Sequence, residues 1–215
     1  IDEINSYQDT PFELIYDEFE KQLFGNHSLG RLILGTPENV NSFTSEGIKA
    51  FIDKNYSTDQ MVISIVSSID CEKWFSLAER YFGGYEKKTN KKQREKILVR
   101  KAEKNIYDRD TYQSHAIIGT MAYGYKDEKK AAFSLLNNML GGYAMNSYLN
   151  MHIREKYGFT YTIESNYTAY SDVGVFSIGY YTTYISTVCN HTCLRARNDR
   201  QYASVVAIID GRCYT

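Results

Sequence analysis

The sequence is poor in the features that mark several large protein classes. Only two prolines, Pro11 and Pro37, occur in 215 residues, and with 14 glycines this makeup excludes a chain disordered by composition. No apolar run approaches the roughly 18 residues that a helical membrane span requires, and no signal-peptide pattern opens the sequence. Neither sign of charge dominates. The 25 basic and 26 acidic residues leave a formal charge of −1, which argues against a chain built overall to bind nucleic acid. The loops G-x-x-x-x-G-K-[ST], G-x-G-x-x-G and G-x-S-x-G are all missing. His27, His115, His152 and His191 are scattered with no i, i+4 pair. Cys71 stands alone, and Cys189, Cys193 and Cys213 crowd the end of the sequence. Cys189-Asn190-His191-Thr192-Cys193 offers three zinc donors, but at a spacing that matches no usual structural zinc site.

What is present fits a soluble globular protein with a sizeable core: 43% hydrophobic and 24% charged residues, in a length suited to one large or two small domains. Twenty tyrosines share no unifying spacing. The sequence opens at Ile1 rather than Met, which reads as a cut.

The spacing predicts a short helix over 1–7. A second begins at Thr10-Pro11-Phe12-Glu13, a capping box with proline at the first helical position, and carries Phe12, Ile15, Phe19 and Leu23 toward a core. Thr44 caps a helix with Ile48, Phe51 and Ile52 inward. Residues 61–66 read as a strand buried on both faces, and Asp70 caps a helix with Trp74, Leu77, Ala78 and Tyr81 on one side. Between Lys87 and Lys104 nine basic residues face two acidic ones with no aromatic among them, so this stretch reads as a solvated linker rather than a polyanion patch.

A second unit follows. Ala116-Ile117-Ile118 centres a strand, and Asp127 caps a helix lined by Ala131, Leu135, Leu136 and Met139. A further helix with Met145, Leu149 and Ile153 inward ends at Gly158, and strands over 159–169 and 173–181 flank a Ser171-Asp172 turn. Beyond Tyr184 only 205–209 has strand character.

Particular words in the sequence carry more. Glu3-Ile4, Asp9-Thr10-Pro11, Leu23-Phe24-Gly25-Asn26-His27-Ser28-Leu29-Gly30-Arg31 and Ile33-Leu34-Gly35-Thr36 come first. Met139-Leu140-Gly141-Gly142, Asn146-Ser147-Tyr148-Leu149 and Arg154-Glu155-Lys156-Tyr157-Gly158-Phe159-Thr160-Tyr161 follow. In this order they resemble the pitrilysin/insulinase-type (inverzincin) zinc metallopeptidases, which include mitochondrial processing peptidase-like proteins. The last three words stand where that family has L-G-G-G, S-S-R-L and R-E-K-x-G-L-x-Y. The resemblance covers about residues 1–184.

The resemblance implies three roles. Glu3 matches the glutamate that is the third zinc ligand after the two histidines of H-x-x-E-H. Two imidazoles and a carboxylate would leave a fourth zinc position for an activated water. Arg154 and Tyr161 match an arginine and a tyrosine that contact the substrate carbonyl and its developing oxyanion. Without the family words, Glu3 reads as an exposed helix glutamate, Arg154 as a basic residue at a helix C-terminus, and Tyr161 as a strand tyrosine. The H-x-x-E-H segment is absent from these residues, and Tyr148 replaces an arginine.

The implied fold is α+β: parts of two consecutive metallopeptidase-like sandwich units, each an antiparallel or mixed sheet with helices on one face. The expected division is 1–86 for the end of a first unit, 87–110 for a basic linker, 111–184 for an incomplete second unit, and 185–215 for an atypical tail. The expected activity is that of a fragment of a zinc endopeptidase, inactive alone, with zinc bound only in the complete protein. Expected partners are a peptide or unfolded polypeptide substrate and a second copy or family-like subunit, without nucleic acid or a membrane span. Two other readings stand beside this one, a non-catalytic assembly subunit and a tyrosine-rich binding module. The sequence carries no sign of compartment.

Overall fold

The computed structural model describes residues 1–8, 10–89, 94–98, 101–108, 113–182 and 203–208, with the side chains of Gln8, Asp108 and the last six not described. Contacts group Ile1–Thr36 with Lys96–Thr215 in one compact unit and Pro37–Glu95 in another.

The first unit is α+β. Its helices are α1 (Asp2–Gln8) and α2 (Pro11–Phe24). Pro at the first position starts α2 as expected, but the Thr10 hydroxyl forms no cap hydrogen bond. With ψ near 80, Thr10 sits outside the extended basin that aims a cap side chain at the helix N–H groups. A five-stranded mixed sheet has the order β1-β5-β2-β4-β3. The strands, numbered along the chain with three helices (α3 to α5) between α2 and β1, are β1 (Glu103–Asp108), β2 (Ser114–Ala122), β3 (Thr162–Ala169), β4 (Gly174–Thr182) and β5 (Ala203–Ile208). β3 and β4 form an antiparallel hairpin, and β4 also pairs antiparallel with β2. β5 runs parallel to β2 and antiparallel to β1.

Two apolar clusters lie on the two faces of this sheet, as the neighbours Ala116 and Ile117 on β2 require by strand alternation. Ile15, Phe19 and Leu23 of α2 join Ile117, Val173 and Val175 on one face. On the other, Ala116, Leu149, Ile163 and Tyr180 meet Leu140, Ile153 and Phe159. α2 therefore covers one face, and the helical residues Leu140, Leu149 and Ile153 cover the other. Phe12, expected inward, is largely exposed.

In this unit α6 (Lys130–Gly141) follows β2, and the Asp127 carboxylate accepts the Lys129 N–H at 2.8 Å one turn before the helix. Leu135, Leu136 and Met139 of α6 are exposed, against expectation; Phe133, Asn137 and Leu140 are its more covered positions. The polar Asn137 backbone lies on the packed side because its carbonyl accepts the Ser165 hydroxyl at 2.9 Å.

The second unit holds α3 (Pro37–Asn41), α4 (Ser45–Asn55) and α5 (Cys71–Phe82). Thr44 and Asp70 cap α4 and α5 as predicted, accepting the N–H groups of Gly47 and Glu72 at 3.1 and 3.0 Å. The expected strand at 61–66 is not one: among the described residues it pairs with nothing, and Val62 and Val66 are fully solvated. Ile48, Phe51 and Ile52 are likewise exposed. Apolar patterning alone cannot make a strand, because its backbone groups need a partner ladder. The tail at 185–215, the Cys189–Cys193 cluster and part of the basic segment lie outside the described residues, except that the strand expected near 205–209 is β5. Among the described residues no helix is long and apolar enough to cross a membrane.

Candidate functional site

Arg154 and Tyr161 sit at the two ends of one pinned segment. The helix after α6 has a π-type stretch over Asn150–Glu155, a wider turn of the kind that often marks functional positions. Its buried anchor is Leu149, with Ile153 half-buried beside it. Asn150 donates to the Ser147 hydroxyl at 2.8 Å. The chain then turns at Gly158, whose φ of 61 lies in the left-handed region that side chains resist, as the helix-ending glycine predicted here requires.

Past that turn the strand entry is stitched to β4. The Thr160 hydroxyl reaches the Tyr181 carbonyl at 2.5 Å and the Thr162 carbonyl at 2.8 Å. The Thr182 hydroxyl donates to the Phe159 carbonyl at 2.7 Å, and the Tyr161 N–H donates to the Tyr181 carbonyl at 3.3 Å. Tyr157 and Phe159 stack at 5.0 Å. The backbone around both residues is thus fixed while their polar ends remain accessible. The Arg154 side chain is 34% exposed; its Nη1 donates to Met145 Sδ at 3.1 Å and lies 3.7 Å from Glu155 Oε1. The Tyr161 phenol is exposed and bonds to no described residue. Tyr148 packs its ring against His152 at 4.2 Å.

Beside this segment, α6 and β3 enclose a groove of about 570 Å³, lined by Asn137, Asn138, Gly142, Tyr143, Glu164 and Asn166 among others. Gly141 is required here: a Cβ would stand 2.6 Å from the Ser165 nitrogen and 2.8 Å from its hydroxyl. Among the described strands β3 lies at the edge of the sheet, so alternate N–H and C=O groups face away from β4. On the far side of the groove floor, Tyr16 of α2 donates to Glu164 at 3.2 Å and accepts from Asn166 at 3.4 Å. Burial first, and then the Glu164 charge, push the Tyr16 phenol far above its ordinary value. Tyr7 is pushed up to about 12, by burial and by Asp17.

Glu3 is exposed in the first turn of α1 and makes no hydrogen bond or ion pair among the described residues. No three His, Cys, Asp or Glu side chains among the described residues converge as metal donors. The described residues therefore do not by themselves fit zinc. The Met145 contact to Arg154 and the Tyr16–Glu164–Asn166 network escaped the sequence reading. Both join residues through space, and only the adjacency of Arg154 and Glu155 carried any local signal.

Comparison with known proteins gives these elements a context. A family profile described as the peptidase M16 inactive domain matches residues 42–184. The "uncharacterized zinc protease YmxG" of Bacillus subtilis is 33% identical over 177 residues, covering 82% of this chain and 42% of that protein. An "uncharacterized zinc protease" of Rickettsia felis is 34% identical over 182 residues, covering 83% and 43%. The chain thus spans less than half the length of these curated relatives. A crystal structure of a peptidase M16 inactive domain from Pseudomonas fluorescens matches with a TM-score of 0.73 at 24% identity, over 88% of this chain and 46% of that one, a likeness of fold.

Proposed function

Because the chain belongs to the peptidase M16 inactive-domain family, we propose that it serves a zinc endopeptidase mainly by holding the substrate, and that it lends the metal a single carboxylate. The observation that carries this reading is the pinned segment ending in two accessible donors, Arg154 and Tyr161. A guanidinium and a phenol can donate together to a peptide carbonyl and strengthen those bonds as the oxygen gains charge. Fixing the backbone at Gly158 and Thr160 means that little reorganisation is needed at that moment. The open edge of β3 supports an extended polypeptide as the substrate, since an added strand pairs through its backbone whatever its sequence.

In the complete protein, zinc would supply the activated water. Glu3 is proposed as the single carboxylate that this chain lends to that site, the imidazoles coming from an H-x-x-E-H segment outside these 215 residues. The exposed faces of α4 and 61–66 support assigning residues 1–86 to a first peptidase-like unit completed by further polypeptide. A homodimer would let Arg154 and Tyr161 of one copy serve the zinc of the other. A second reading, a non-catalytic family-like subunit, is favoured by the match to a family described as an inactive domain.

The test uses the full-length protein. Arg154→Lys and Tyr161→Phe should each lower kcat/KM by roughly a hundredfold with zinc content unchanged, the size of effect that losing one oxyanion donor has elsewhere. Glu3→Gln should lower bound zinc. Mixing Glu3→Ala protein with Arg154→Ala protein should restore activity if the site is shared between copies. Unchanged kcat/KM in both donor variants would reject the substrate-holding role, and a wild-type protein without zinc or activity would favour the subunit.

A further inference from the structure

We infer that Met145 is an oxidation site whose sulfoxide latches the Arg154 guanidinium. Met145 lies in the connection between α6 and the π-type stretch, is 57% exposed, and takes a hydrogen bond on its sulfur from Arg154 Nη1 at 3.1 Å. A thioether is a weak acceptor, so Arg154 is held loosely and yields to a stronger one such as a peptide carbonyl.

A hydroperoxide changes that balance. The Met145 sulfur lone pair attacks the outer peroxide oxygen, the O–O bond breaks and an S–O bond forms. Sulfur loses two electrons and hydrogen peroxide is reduced to water. The flexible side chain then presents a polar oxygen where a soft sulfur had been. Glu155 Oε1 already lies 3.7 Å from the same Nη1, so the guanidinium becomes shared between two oxygens of its own chain. Met61, Met139 and Met151 are comparably exposed, but none takes a hydrogen bond from an arginine among the described residues. The consequence for substrate rests on the reading above; the latch itself does not.

Treating the full-length protein with hydrogen peroxide, then with phenylglyoxal as an arginine-selective reagent, reads the latch directly by peptide-mapping mass spectrometry. Oxidation at Met145 should slow modification of Arg154 roughly threefold or more, the scale of one added hydrogen bond. Methionine sulfoxide reductase should restore the rate, and Met145→Leu should abolish the slowing. Met145→Gln should slow Arg154 without any oxidant, while a Met139→Leu/Met151→Leu double variant should behave as the wild type does. The latch is overturned if Arg154 reacts equally fast with Met145 oxidised, if Met145→Leu slows as much, or if Met145 stays reduced while Met61 oxidises. A latch accompanied by unchanged peptide affinity in the full-length protein upholds the inference and rejects only the substrate-holding role.

Discussion

Helices α2 and α4 both carry apolar residues at helical spacing, yet α2 buries Ile15, Phe19 and Leu23 while α4 leaves Ile48, Phe51 and Ile52 in solvent. The better-capped helix is the solvated one, since Thr44 accepts the Gly47 N–H whereas Thr10 caps nothing through its side chain. The contrast teaches that a cap decides where a helix begins, and a facing apolar surface decides what it contributes. α2 meets Ile117 and Val175 of the sheet, and among the described residues every buried apolar residue belongs to that unit. Among the described residues of 37–95 the only buried position is Ser57.

The sharpest way to break this comparison is a pair of truncations. Phe19→Ala, at 1% exposure, should cost about 3–5 kcal/mol in urea unfolding, while Phe51→Ala, at 60%, should stay within about 0.5 kcal/mol. Equal losses would show that 37–95 has a core of its own. A smaller difference is expected at glycines. Gly141→Ala drives a Cβ into Ser165 and should cost about 1–3 kcal/mol, whereas Gly84, with nothing within 4 Å, should accept alanine almost freely.

Next in size is a pH dependence that belongs to the sheet unit. Burial raises Asp17 and Glu20 above the ordinary carboxylate range and lowers His115 below its usual value. For the two acids the native state binds protons more tightly than the unfolded chain. Their stabilisation is full below the unfolded values and is lost as pH rises through the raised native ones. For His115 the sign reverses: its contribution is full above the unfolded value near 6.5 and is lost as pH falls through the native one. Tyrosine near-UV circular dichroism should follow this profile, and Glu20→Gln should flatten its acidic limb. The fluorescence of Trp74, the only tryptophan and one that lies in 37–95, should not follow it. The smallest effect concerns the caps. Thr44→Ala should cost about 1 kcal/mol of α4 and Thr10→Ala distinctly less of α2, read by amide exchange over each first turn.

These contrasts mark which parts of the fold were legible. Local chemistry was: Pro11, Thr44, Asp70 and Gly158 each fix a helix boundary through groups a few residues away. Both hairpin strands were found, because one alternating face of each is buried against the second cluster. Burial itself was not legible. Residues 61–66 have the composition of an interior strand, but pairing depends on backbone that sequence spacing does not supply. The exposed Leu135, Leu136 and Met139 failed for the same reason: α6 turns Asn137 toward Ser165 and leaves the leucines outside. Of the candidate site, Arg154 and Tyr161 came from the order of family words. The π-type turn that carries Arg154 has no signature in its residues.

The parallel placement of β5 sets a timetable. It is the last of the five strands to leave the ribosome, yet it lies between β1 and β2. β5 alone joins β1 to the rest of the sheet, so its loss would leave facing rows of unsatisfied amides on β1 and β2, roughly 10 Å apart or twice the usual strand spacing.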